Sequence, residues 1–119
     1  MRWWHRRLQP AESLPEGAHT RLARSVDVGR RVLACRVEQA GGEQTVLVWR
    51  TRSGRPIAMD ARCPHRNLPM TGGRLVGDSI ECPFHRHRFA PSGRCVNRRD
   101  VRPATVLTVH EADGQLWLA

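Results

Sequence analysis

The sequence predicts an all-β fold, a sandwich or small barrel, on three observations. Its apolar and β-branched runs are only three to eight residues long, turn signals separate them, and no long stretch repeats its apolar residues at helical spacing. Residues 10–18 (PAESLPEGA) carry two prolines and a glycine and read as a leading loop. Strands are then expected at residues 31–38 (RVLACRVE), 45–50 (TVLVWR) and 56–60 (PIAMD), with Gly41-Gly42 and Ser53-Gly54 turning the chain between them. Shorter strands are expected at residues 74–76, 79–82, 87–89 and 94–96. Asp113-Gly114 divides residues 105–111 (TVLTVHE) from 115–118, and Asp-Gly between apolar runs marks a tight hairpin.

At 119 residues the chain has the length of one domain, taken as 1–119, with 39% hydrophobic residues to build a core. No internal repeat or low-complexity tract is visible. The first twelve residues, MRWWHRRLQPAE, lack the apolar run of a signal peptide, so Arg6-Arg7 is not read as a twin-arginine signal. Nothing approaches the ~18 apolar residues of a membrane span. The expectation is a soluble cytoplasmic protein with no membrane association. In a reducing compartment four cysteines point to metal ligands or free thiols, not to a disulfide framework.

Two short boxes concentrate the chemistry: Cys63-Pro64-His65 and Cys82-Pro83-Phe84-His85, a C-x-H and a C-x-x-H separated by sixteen residues. Each follows a strand candidate and contains a proline that stiffens the loop. Two thiolates and two imidazoles on paired loops can hold a metal centre. Zinc accepts that ligand set, so a zinc-stabilised nucleic-acid-binding or protein-binding module is one reading, although zinc ribbons space their cysteine pairs differently.

The C-x-H … C-x-x-H signature resembles that of the Rieske [2Fe-2S] proteins, in which two histidines replace two cysteines on one iron. Residues 55–96 look like the cluster-binding part of Rieske oxygenase front domains, and the strands before it fit the same layout. The resemblance implies an antiparallel β-sandwich with a small cluster-binding subdomain at about residues 60–96. It implies one [2Fe-2S] cluster per chain, with Cys63 and Cys82 on one iron and His65 and His85 on the other. Two ferric ions, two sulfides and two thiolates sum to zero, against −2 with four thiolates, so such a cluster accepts an electron more readily than a four-cysteine one.

The resemblance also implies a branch. Respiratory Rieske proteins join the two boxes by an extra disulfide; the matching positions here are Leu68 and Phe84. Their cluster-facing Ser and Tyr are matched by His87 and Phe89, which implies fewer hydrogen bonds to sulfur and a low-potential type. The family's Gly after the second ligand His is Arg86, strained if that position needs a positive φ, and its Asp after Phe is Ala90. The resemblance thus points to a ferredoxin component or a detached oxygenase front domain, passing electrons between a reductase and an oxygenase catalytic subunit. Only 34 residues follow His85, too few for the mononuclear iron site of a full oxygenase, so no oxygenase active site is expected in this chain. A cluster-based redox sensor or assembly subunit is a lesser reading.

The remaining chemistry-bearing residues carry plainer expectations. Cys35 and Cys95 read as small core residues, a regulatory disulfide between them being the lesser reading. His5, His19 and His110 match no ligand spacing and read as surface or strand residues. His87 reads either as a residue that tunes the cluster or touches a partner, or as an exposed bystander. Trp3 and Trp4 beside Arg6-Arg7 read as strand packing.

The net charge is +9, and all 20 basic residues are arginine, which first suggests a coding bias. Nine arginines fall between residues 62 and 102 against Asp78, Glu81 and Asp100. This predicts a basic rim that steers acidic redox partners. Nucleic acid is disfavoured, because no basic recognition helix or row of stacking aromatics is present.

Overall fold

The computed structural model describes residues 20–39 and 41–119; Trp3, Trp4, His5, Arg6, Arg7, the leading loop and His19 lie outside them. Among the described residues ten strands run in order: β1 (Thr20–Arg24), β2 (Leu33–Gln39), β3 (Gly42–Arg50), β4 (Pro56–Asp60), β5 (Arg74–Val76), β6 (Ser79–Glu81), β7 (Arg88–Phe89), β8 (Val106–Leu107), β9 (Val109–Ala112) and β10 (Gln115–Leu118). One 3-10 turn, Ser25–Asp27, follows β1, and no α-helix occurs among the described residues. All strand pairings are antiparallel. They form three sheets, ordered β1-β10-β9, β2-β3-β4-β8 and β5-β6-β7. The all-β expectation holds.

The middle sheet explains why TVLVWR is apolar without interruption. Val46 and Val48 point to one side, joining Cys35, Val37 and Ala58 against Leu116 and Leu118 of β10. Leu47 and Trp49 point to the other, joining Ile57 and Met59 against Ile80, Phe89 and the two box cysteines. All four β3 residues are fully buried. A strand covered on both faces has no reason to alternate, and each such side chain contributes about 1.5–3 kcal/mol of burial. The sandwich therefore carries a third layer, the small β5-β6-β7 sheet with the box loops.

That layer is fastened to the sandwich by polar contacts at the turn between β5 and β6. The Trp49 indole N–H donates to the Asp78 carbonyl oxygen at 3.2 Å. Arg30 donates to the Gly77 carbonyl at 2.6 Å and to the Arg50 carbonyl at 2.6 Å. The Asp78 carboxylate accepts the Arg52 backbone N–H at 2.8 Å, and that bond, with the charges of Arg52 and Arg30, holds its pKa below the usual carboxylate value.

Three expectations need correcting. Thr20–Arg24 is a strand that its two arginines obscure; it forms by pairing with β10. Residues 94–96 form only a single bridge, Cys95 to Phe89. The run 105–111 is two strands, because the chain changes sheets at Thr108: β8 pairs with β4, whereas β9 pairs with β10. The Asp113-Gly114 hairpin is present, both residues having positive φ (54° and 74°), as this tight turn demands.

Candidate metal centre

The two boxes occupy loops of one backbone form, offset by nineteen residues. The Cys63 N–H donates to the Leu68 carbonyl at 2.7 Å, and the Asn67 N–H donates to the Cys63 carbonyl at 2.6 Å. In the second loop the Cys82 N–H donates to the His87 carbonyl at 2.8 Å, and the Arg86 N–H to the Cys82 carbonyl at 3.0 Å. Bridges close both loops at matching positions, Arg62 with Pro69 and Glu81 with Arg88. Asn67 and Arg86 both have positive φ, 59° and 60°. This local duplication is absent from the sequence reading because the side chains differ at most matched positions, and a shared backbone does not require shared residues.

Within this frame the four motif residues separate into two pairs. The thiols of Cys63 and Cys82 are hydrogen-bond neighbours, and both are buried. Burial pushes the Cys63 thiol up and the adjacent Cys82 acts the same way, while the N–H groups of His65 and Arg66 work against them. His65 and His85 are exposed, their ring centroids 5.1 Å apart and their planes 83° from parallel. Among the described residues no three His, Cys, Asp or Glu side chains are grouped as ligands of a single metal ion. A buried thiol pair beside an exposed imidazole pair instead suits a two-metal centre, sulfur ligands on one metal and nitrogen ligands on the other.

Supporting residues fix the second loop. Glu81, just before Cys82, lies between its two cross-strand neighbours and accepts from Arg74 Nε and Arg88 Nε, both at 2.9 Å. Those two bonds hold the Glu81 carboxyl below its ordinary pKa. Gly73 lets the strands close here, since a Cβ would stand 2.7 Å from the Glu81 carbonyl oxygen. Asn97, which no spacing signalled, donates Nδ2–H to the Arg86 carbonyl and accepts the Arg88 N–H on Oδ1, both at 2.9 Å.

His87 is not an exposed bystander. It is 4% exposed, with its ring centroid 4.3 Å from that of His65. Cys35 and Cys95 are buried free thiols in separate cores, and all four cysteines are free. His110 lies half-buried in β9, paired across the strands with Trp117.

Charge gathers beside the imidazoles. A cleft of about 490 Å³ is lined by His65, His85, His87, Arg98, Arg99, Asp100 and Val101. Of the nine arginines between residues 62 and 102, Arg62 pairs with Asp60, and Arg74 and Arg88 pair with Glu81. Arg66, Arg86, Arg94, Arg98, Arg99 and Arg102 take part in no ion pair among the described residues.

Comparison with known proteins identifies the family. Residues 18–110 match the family model described as the Rieske [2Fe-2S] domain. Aminopyrrolnitrin oxygenase of Pseudomonas fluorescens is 34% identical over a match covering 87% of this chain and 34% of that protein. The chain spans about a third or less of the length of the curated relatives it matches. Among solved structures, the ferredoxin of Sphingomonas yanoikuyae B1 matches with a TM-score of 0.68 and 25% identity, covering 82% of this chain and 94% of that one. Apo dicamba monooxygenase shares the fold at a TM-score of 0.72 and 22% identity, over 85% of this chain and 33% of that one.

Proposed function

The chain belongs to the Rieske [2Fe-2S] domain family, and from that premise we propose that it is the electron-transfer component of an oxygenase-type redox system, as a ferredoxin or an oxygenase front domain. It binds one [2Fe-2S] cluster, which when bound takes up and gives back one electron at a time. Cys63 and Cys82 would hold the cluster from the buried side, and His65 and His85 from the exposed side. The observation that carries this reading is the sorting of donors by burial, thiols inside and imidazoles at the surface, on two loops of matched backbone.

The surrounding residues perform the rest of the task. The buried thiols lie against Met70, Ile80 and Phe89, which keep water from the sulfur side. The exposed imidazoles bring the edge of the site to the surface, where an electron has the shortest distance to cross. Arg66, Arg86, Arg98 and Arg99 favour partners with acidic docking faces, a reductase on one side and an oxygenase catalytic subunit on the other. The proposal places this work in the cytoplasm, where reducing conditions keep Cys63 and Cys82 available as thiolate ligands. No helix among the described residues is long and apolar enough to cross a membrane.

The test is iron, acid-labile sulfide and zinc analysis of freshly purified protein, with its visible spectrum. Two irons and two sulfides per chain are expected, with loss of colour when Cys63 or Cys82 is replaced by Ser. Colourless protein holding one zinc per chain would overturn the proposal.

A further inference from the structure

His87 lies outside the four-residue motif, yet its ring packs beside the motif imidazoles and its backbone is held firmly in place. Its ring packs 4.3 Å from His65 and 6.3 Å from His85, centroid to centroid. The single side-chain amide of Asn97 binds the peptide groups on both sides of it, at Arg86 and Arg88. Its own carbonyl accepts the Cys82 N–H. The backbone of His87 is therefore pinned at three successive points.

One polar atom is nevertheless left over. The Nδ1 atom of His87 is enclosed and has no hydrogen-bond partner in the protein. A buried polar group without a partner is costly, and folded proteins keep few of them. The ring also borders the cleft that His65, His85 and Arg98 line. An enclosed imidazole nitrogen beside two candidate ligands, on a backbone held this firmly, calls for a partner that the polypeptide does not supply.

We infer that His87 donates its Nδ1–H to a sulfur atom of the [2Fe-2S] cluster and thereby raises the reduction potential. The inference rests on the cluster reading above and adds a residue to it. A hydrogen bond to sulfur strengthens as negative charge accumulates, so it stabilises the reduced state more than the oxidised one. It supplies at His87 the donor that replacement of a hydroxyl residue at this position was expected to remove. The two other rings of the cluster face are assigned as ligands, which leaves His87 as the donor imidazole.

The test uses the holoprotein at one fixed pH. His87→Leu, which copies the Leu68 of the first loop, is expected to shift the one-electron equilibrium about tenfold toward the oxidised form, a fall of 59 mV. His87→Asn places an amide N–H near the position of Nδ1 and is expected to recover most of that shift. Should His87→Leu fail to fold, His87→Phe, which keeps a planar ring without an N–H donor, takes its place and is expected to show the same fall. An unchanged potential in the variant that folds would overturn the inference while leaving the cluster reading intact. Unaltered protein without the [2Fe-2S] spectrum would overturn both.

Discussion

Asn67 and Arg86 occupy the same place in two copies of one loop. Each stands four residues after its cysteine, each N–H returns to that cysteine's carbonyl, and the two φ angles differ by one degree, 59° against 60°. Asparagine tolerates this left-handed conformation better than arginine, whose Cβ crowds the following carbonyl at a cost of roughly 1–2 kcal/mol. Arg86→Gly should therefore raise stability by about 1 kcal/mol in urea unfolding of the holoprotein, whereas Asn67→Gly should change it little. Equal effects at the two sites would contradict this account.

Gly73 tests the closeness of the layers around the second cysteine. An added Cβ would meet the Glu81 carbonyl oxygen at 2.7 Å and the Met70 carbonyl oxygen at 3.0 Å, both backbone atoms that cannot turn aside. Gly73→Ala should cost about 1–3 kcal/mol and reduce iron content as Glu81 and Cys82 shift. Gly72→Ala, with nothing nearer than Pro83 Cγ at 3.9 Å, is the matched control and should retain iron.

Acid should weaken the sandwich through one ion pair. Arg50 grips Glu111 with two bonds, 2.7 Å and 3.0 Å, and this contact pulls the Glu111 pKa from 4.5 down to about 2. A depressed carboxyl pKa contributes stability that is complete above the unfolded value and vanishes as pH falls through the folded one. The loss thus belongs between pH 4.5 and about 2. Because Glu111 is partly exposed, screening reduces the contribution to the order of 1 kcal/mol. Unfolding midpoints against pH should fall less steeply in Glu111→Gln than in the parent over this window.

Replacing one imidazole by a thiolate probes the ligand assignment. His65→Cys adds one negative charge to the cluster and should retain it while lowering its potential by on the order of 100 mV. A potential equal to the parent's would remove His65 from the ligand set.

The unpaired arginines beside the imidazoles make a prediction that small reagents can check. Oxidation of the reduced protein by anionic ferricyanide should slow several-fold in Arg98→Glu/Arg99→Glu at low salt. The difference should shrink as ionic strength rises. Oxidation by a cationic cobalt complex should accelerate instead. Identical rates for both reagents would mean that the rim does not steer.

Much of this site was legible in the sequence because thiol and imidazole spacing is a chemical signature that survives without coordinates. The strands β2, β3 and β4 were legible for a similar reason, as short runs with apolar residues, cut by glycine turns. What stayed hidden depends on contacts between distant segments. Thr20–Arg24 becomes a strand only because β10 lies alongside it, and Thr108 divides one apolar run only because two sheets compete for it. Asn97 looks like any turn residue until the peptides flanking His87 are seen to meet it. His87 itself was ambiguous, since a histidine among arginines reads as surface until Phe89 and its neighbours are folded inward.

The middle sheet, walled on both faces, restricts how this unit can be extended. With β3 and β4 covered above and below, no further layer can be stacked upon them. Growth or attachment is confined to the rims: the outer margins of β2 and β8 and the remaining faces of the flanking layers. A larger assembly built around this unit would therefore have to wrap it sideways, which leaves the imidazole tip available for electron exchange.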